Sequence, residues 1–282
     1  MTSSNIVQVT VAGRTVGGKV PKHNVLMMEN TDFSTWKSTS TYSYALALKY
    51  GICTGYVASN PCGNGLSLPE YLDLFFGDNY GICVDEAPSG HGLAQKSIAE
   101  SCGDAGLSWA AYAEDLPRSC FLGGSVGNYA GRHVPALFSG WVTGTPANCD
   151  KVQAFTFDPL TVIDPDNMPS YSMTTPNVLN DAHNTSIAYA DTNFNKYYIA
   201  ELMAGSDFQN NNLAIWFICD NATSSPGGLT IGAVFWKGLS GPVVVSAKRN
   251  HFDTLHEIEK QIGLPYLTAH DSAATGFPEF FP

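Results

Sequence analysis

Charge is scarce in this chain. Asp, Glu, Lys and Arg make up 14% of its 282 residues, against about a quarter in an average soluble domain. Cations are scarcer still: 14 Lys and Arg face 25 Asp and Glu, for a formal net charge of −11. Such a surface repels phosphate backbones at long range, which argues against a nucleic-acid partner. An anionic small molecule would need a local positive centre, and a bound metal would supply one. There is no run of roughly 18 apolar residues, so no helix is expected to span a membrane. The seven cysteines contain no CxxC pair, which speaks against a structural zinc knot. There is no internal repeat and no Gly/Ser- or Pro-rich linker, so residues 1–282 are read as a single domain. The first residues, Met1-Thr2-Ser3-Ser4-Asn5, lack the basic and apolar character of a secretory leader.

What remains is apolar and neutral polar. Hydrophobic residues are 44% and aromatics 12%, which implies a globular fold with a sizeable core. The surface must be built from Ser, Thr, Asn and Gly, a composition common in exported proteins. Cys219 ends the apolar run Ala214–Ile218 and reads as a buried free thiol. Cys53, Cys62, Cys83, Cys102, Cys120 and Cys149 lie in loop-rich sequence and could form disulfides, in a pairing the sequence leaves open. Neutral surface and paired cysteines together point to an oxidising compartment. The expectation is a secreted or periplasmic protein whose leader is absent from this chain.

The chemistry is expected around Asn24-Val25-Leu26-Met27-Met28-Glu29-Asn30. A continuous apolar run of this length reads as a strand buried on both faces, as in a parallel sheet. Open α/β sheets place their chemistry just beyond the carboxyl ends of such strands, where Glu29 and Asn30 stand. A second apolar strand, Leu213–Cys219, ends in the same way, in Asp220-Asn221. Parallel strands of one sheet would put both acids at one edge. Asp181, His183 and His251 complete a plausible oxygen-and-imidazole donor set.

Other elements follow from local pattern. The alternation of Ile6, Val7, Val9 and Val11 suggests an edge strand over residues 5–12. Tyr44–Tyr50 reads as a short helix stopped by Gly51, and Leu68–Gly77 as a helix with Pro69 in its first turn. Ser97-Ile98-Ala99-Glu100 is a capping-box pattern. Strands are expected at 107–112, 154–157 and 243–245, with helices within 181–203 and at 255–262. Residues 115–147 show Gly, Pro and aromatics without periodicity, and a loop that long is usually functional. Strands alternating with helices mean α/β, with a mostly parallel central sheet and helices on both faces.

Six blocks, in order, resemble the phosphoesterase family that includes bacterial acid phosphatases and non-specific phospholipases C, within the alkaline-phosphatase superfamily. They are Met28-Glu29-Asn30, Ser67-Leu68-Pro69-Glu70-Tyr71, Leu107–Asp115, Thr175-Pro176-Asn177 with Asp181-Ala182-His183, Asp220-Asn221, and Asn250-His251 leading to Gly263-Leu264-Pro265. The resemblance implies an alkaline-phosphatase-like fold and a metal-dependent phosphoric-ester hydrolase. Ser67 matches the nucleophile position, attacking in line to give a phosphoserine that water then hydrolyses. Glu29, Asp181, Asp220, Asn221 and His251 match metal ligands, and Asn30 and His183 match residues near the phosphate or a second metal. The cofactor implied is a divalent metal ion of open identity (Zn, Mn, Fe or Ca), one or two per site. The partner is a phosphate-ester small molecule or a lipid head group, monoester or diester.

Three departures stand against the family pattern. The family places His-Pro before its Ser-Leu-Pro, whereas this chain has Ser59–Leu66 and no histidine there. Glu70 stands where Asn is usual, and Asn221 where a second acid is usual. These departures, with the Gly- and aromatic-rich stretch Gly123–Trp141, motivate an alternative: a catalytically impaired member acting as a binding or surface protein.

Overall fold

The computed structural model describes residues 10–11, 14–15 and 20–282. Most of the edge strand expected over residues 5–12 lies outside the described residues. Its described part, β1 (Thr10–Val11), pairs antiparallel with β2 (Arg14–Thr15) in a separate two-stranded ribbon.

The remaining strands form one sheet. They are β3 (Lys22–Met28), β4 (Gly51–Cys53), β5 (Trp109–Glu114), β6 (Val152–Phe155), β7 (Tyr171–Thr175), β8 (Leu213–Cys219), β9 (Gly232–Phe235) and β10 (Val243–Val245). Their spatial order is β10-β4-β9-β8-β3-β7-β5-β6. Every neighbouring pair is parallel except those involving β9. The expectation of a mostly parallel central sheet in an α/β fold therefore holds. Among the described residues no helix is long and apolar enough to cross a membrane.

β3 lies between β8 and β7, and its apolar run serves both faces. Val25 and Met27 join one core with Leu68, Tyr71, Leu72 and Phe75 of the helix Ser67–Phe76 and with Leu255 and Ile258 of the helix His251–Ile262. Leu26 and Met28 join the other core, with Trp36 of the helix Phe33–Thr39, Ala47 of the helix Tyr42–Lys49, and Ile187, Phe194 and Tyr198 from the helical segment 187–204. Alternate β side chains point to opposite faces, so a strand covered on both sides must be apolar at every position facing a core.

All ten residues of the Ser67–Phe76 helix are buried. A helix apolar on most sides belongs in a core rather than on a surface. It ends at Gly77, whose φ of 74° is left-handed, the usual glycine exit. The Ser97 hydroxyl caps the helix Ile98–Asp104 by accepting from Glu100 N, as the capping-box pattern requires.

Several elements differ from the sequence reading. The Ser/Thr-rich stretch after Asn30 forms the helix Phe33–Thr39, which tertiary packing of Trp36 supports. β4, β7 and β9 were not expected. They are short, and their glycine and small polar residues hide the signal of burial on both faces. The last long helix starts at His251 rather than Leu255, because Asn250 caps it in a reciprocal capping box with Asp253.

The cysteines pair only in part. Cys62–Cys83 and Cys120–Cys149 form disulfides, whereas Cys53, Cys102 and Cys219 are buried free thiols. Cys219 is as expected. Cys53 and Cys102 are corrected: they sit on β4 and within the Ile98 helix, inside the core, with no partner cysteine alongside. Unfolding the unreduced protein should therefore expose three thiols to a chromogenic disulfide reagent, and the native protein almost none. One thiol after unfolding would mean a third disulfide and contradict this pairing.

Candidate active site

The register of the two central strands sets the site. Met28 of β3 lies opposite Cys219 of β8, so the next residues, Glu29 and Asp220, emerge side by side at the carboxyl edge. Backbone bonds lock the edge: Asp220 N donates to Met28 O at 3.0 Å, and Glu29 N donates to Asp181 O at 2.8 Å. The second bond brings the loop after β7 to the same place. Asp181 is carried there because Glu114 accepts from Asn177 N and from the Asn180 side chain, and Asp115 accepts from the Asn177 side chain. This gives a structural reason for the Thr-Pro-Asn and Ala-Glu-Asp blocks.

Ser67 stands at the first turn of its buried helix, and its hydroxyl donates to Glu29 Oε2 at 2.8 Å. Asn30 donates to the same oxygen through Nδ2 at 3.1 Å, while its backbone N donates to Asp220 Oδ1 at 2.8 Å. Asn30 does this at a φ of 35°, a left-handed conformation that asparagine tolerates better than most residues. Asn221 N also donates to Asp220 Oδ1, at 2.6 Å. Ser67, Glu29, Asn30, Asp220 and Asn221 thus form one connected cluster.

Asn221, where the family has an acid, donates its side-chain amide to Leu66 O at 3.4 Å. A carboxylate could not donate there. The amide ties the Asp220 edge to the residue that precedes the Ser67 helix.

Sequence reasoning missed His133. It lies in a short 3₁₀ turn, Gly131–His133, inside the unpatterned 115–147 region. Its Nε2 is 3.3 Å from Glu29 Oε1 and its Nδ1 3.3 Å from Asp181 Oδ2. Tyr71 of the Ser67 helix stacks on the ring, with centroids 5.1 Å apart and planes 1° from parallel. Burial, then the Arg132 guanidinium, holds the His133 pKa down at about 3, so the imidazole is neutral and offers one N–H to two acids. The only available signal was an Arg-His pair directly before the apolar run Val134–Phe138.

The acids are correspondingly hard to ionise. Burial, then the charges of Asp220 and Asp181, pushes Glu29 well above the usual carboxylate range. Burial is also the main cause of the Asp181 shift, to about 8. Glu29 Oε1, Asp181 Oδ2, Asp220 Oδ2 and Asn221 Oδ1 are buried without a hydrogen-bond partner. Buried polar atoms of that kind are rare and call for a counterpart.

Among the described residues, no group of three or more His, Cys, Asp or Glu side chains is already arranged to hold a metal ion. The orphaned oxygens themselves suit a hard cation, since they are carboxylate and carbonyl donors gathered at one edge. Glu29, Asp181, Asp220 and Asn221 are therefore the residues that could hold one.

The two remaining expected residues stand apart from this oxygen set. His251 is fully buried, with Nδ1 2.9 Å from Glu70 Oε2 and Nε2 3.1 Å from Cys219 O. The Ser59 hydroxyl also lies 3.2 Å from Nδ1. Burial alone would lower its pKa, but the Glu70 hydrogen bond and charge outweigh this and raise it. His251, expected as a metal ligand, thus has both ring nitrogens engaged by Glu70 and the Cys219 carbonyl. Glu70 finds its reason in the same contact. It also accepts from Ser59 N at 2.9 Å and Asn60 N at 2.7 Å, pinning the altered approach to Ser67.

His183 is exposed at the mouth of the site. Its backbone N donates to Asp181 Oδ1 at 2.7 Å, and its Nε2 accepts from Arg132 Nη2 at 3.1 Å. It thus lies near the cluster but faces Arg132 rather than Ser67.

A family model described as "Phosphoesterase family" matches residues 26–218. Among curated relatives, a "Phosphatidylinositol-3-phosphatase" of Mycobacterium tuberculosis is 28% identical, over 71% of this chain and 63% of its own length. A "Phosphate-repressible acid phosphatase" of Penicillium chrysogenum is 26% identical, over 88% of this chain and 60% of its own length. The chain thus spans about three-fifths of the length of these relatives. Among solved structures, a protein in the alkaline phosphatase superfamily from Vibrio parahaemolyticus superposes with a TM-score of 0.54 at 11% identity, covering 91% of this chain and 70% of that one. At that identity the likeness concerns the fold alone.

The raised Asp181 pKa has a consequence for stability. Its folded-state value exceeds the ordinary one, so the folded chain keeps a proton that the unfolded chain releases. In chelator-treated protein, stability should fall as pH rises from about 4 to about 8 and then level off. Asp181→Asn should flatten that slope in urea titrations. A variant with the wild-type slope would show that Asp181 does not carry the buried proton.

Proposed function

The chain belongs to the phosphoesterase family, and from that premise we propose that it hydrolyses phosphoric esters through Ser67, with a divalent metal ion at the Glu29 edge. The observation that carries this reading is the Ser67–Glu29 hydrogen bond at 2.8 Å, set among buried acids with orphaned oxygens. Two relatives named as phosphatases support the reaction class.

A serine hydroxyl is a weak nucleophile until a base or a cation activates it. Here the hydroxyl proton already points at Glu29 Oε2, which leaves the oxygen lone pairs free. As Ser67 Oγ bonds to phosphorus, the phosphorus–oxygen bond to the alcohol breaks, the Ser67 proton passes to the Glu29 carboxylate, and the departing alkoxide takes a proton from water. Burial favours the protonated form of Glu29 in the metal-free chain, and a cation at this edge would favour the carboxylate that accepts the proton. His133 can pass that proton on, since its nitrogens face Glu29 Oε1 and Asp181 Oδ2. Water then attacks the phosphoserine, releases inorganic phosphate and restores Ser67. A cation held by Glu29, Asp181, Asp220 and Asn221 would neutralise these acids and offset charge developing on the phosphoryl oxygens. Arg132, beside His183, is a fixed positive charge at the mouth.

The alternative of an impaired binding protein drew on the three departures from the family pattern. Glu70 pairs with His251 and holds the Ser59 approach, and Asn221 reaches Leu66. Two of the departures are thereby tied into the site's own bonding, which favours the hydrolase. The two disulfides support an oxidising compartment, and we propose that the protein works outside the cytoplasm.

Ser67→Ala should lower turnover of p-nitrophenyl phosphate by on the order of a thousandfold or more, with an unchanged circular dichroism spectrum. Residual wild-type turnover in that variant would remove Ser67 as nucleophile.

A further inference from the structure

A phosphoryl group attached to Ser67 would need partners for its peripheral oxygens. Helix N-termini supply them through free backbone N–H groups and a positive dipole end. The Ser67–Phe76 helix has few such groups to offer, since Pro69 in its first turn carries no N–H. The Leu68 N–H, next to the nucleophile, is already taken: it donates to Asp85 Oδ1 at 3.0 Å. The other oxygen of the same carboxylate, Oδ2, lies 3.6 Å from Arg132 Nε. Asp85 therefore engages both the amide next to the nucleophile and the Arg132 guanidinium.

Asp85 is not a buried structural group. Its side chain is 30% exposed. It sits on a segment without regular secondary structure, two residues from Cys83, whose disulfide to Cys62 ties that segment to the approach to Ser67. Beside it opens a cavity of about 220 Å³ lined by Asp85, Glu86, Gly124, Gly131 and Arg132. The carboxylate thus has room to swing aside while its backbone stays tethered.

We propose that Asp85 is a resident anion, a carboxylate that occupies the phosphoryl seat of the free protein and must be displaced by the phosphate of an incoming ester. This rests on the reading of Ser67 as the nucleophile. A carboxylate offers two acceptor oxygens and one negative charge, so in the free protein it accepts from the Leu68 amide and stands within ion-pair range of Arg132 Nε, which has no hydrogen-bond partner of its own. A phosphate dianion offers more acceptors and more charge, and so competes well. A phosphodiester, with a single negative charge, competes less well. Asp85 then lowers the apparent affinity of the seat for every phosphoryl ligand by the fraction of time it occupies it.

The test is calorimetric titration of the full chain with inorganic phosphate, beside the variants Asp85→Asn and Asp85→Ala. Asparagine keeps an acceptor for the Leu68 amide and loses the charge, so it guards against a simple loss of the cap. Their thermal midpoints report that both variants fold. If the seat is blocked most of the time in the wild type, both variants should bind phosphate about tenfold more tightly, because apparent affinity is reduced by the fraction of open sites. Their preference for p-nitrophenyl phosphate over bis-p-nitrophenyl phosphate, as a ratio of kcat/KM values, should stay at the wild-type value, since the open fraction cancels in that ratio. Equal or weaker phosphate binding in both folded variants would overturn the resident-anion role and leave the Ser67 reading standing. No phosphate binding by any of the three proteins would overturn both.

Discussion

The structure depends on how acids crowded at one sheet edge are neutralised. Glu29, Asp181 and Asp220 meet there because two apolar strands end in register and a third segment is bonded to them through its backbone. Isolated, each charge would cost several kcal/mol to bury. The chain meets part of this cost with hydrogen bonds from Ser67, Asn30, Asn221 and the His183 backbone. The remainder is left on oxygens that have no partner. A stable protein without a task at this point would have put apolar residues there, since well-packed hydrophobic replacements for buried charges are often neutral or stabilising.

The same argument organises the surroundings. Tyr71 and His133 stack face to face, and their helix and turn come from separate segments of the chain. The Glu70–His251 pair is buried beside the Ser67 helix. It joins three separate pieces: the Ser59–Asn60 approach, the first turn of the Ser67 helix, and the Cys219 carbonyl just before Asp220. An ion pair so placed fixes the position of Asp220 relative to Ser67. That role accounts for a carboxylate at 70 and for a histidine with both nitrogens engaged.

The sheet and its central strands were readable in the sequence because burial on both faces leaves an uninterrupted apolar run, and the acids ending those runs named the edge. The Ser67 helix was readable from Pro69 and Gly77. What stayed hidden depends on contacts between distant segments. His133 and Asp85 lie in stretches without periodicity, and only the folded chain shows that they face Glu29 and the Leu68 amide. His251 was placed in its block, but its contact with Glu70, 181 positions earlier in the chain, could not be read from the sequence. The short strands β4, β7 and β9 are held by their neighbours in the sheet rather than by their own composition.

The account is most directly tested by elemental analysis of the purified chain after equilibration with manganese, zinc, iron and calcium and removal of unbound ions. If the orphaned oxygens of Glu29, Asp181, Asp220 and Asn221 form a cation seat, the wild type should retain at least one divalent ion per chain at neutral pH. Glu29→Ala should retain none. A wild-type protein that keeps no ion of any kind, or a variant that keeps as many as the wild type, would contradict it.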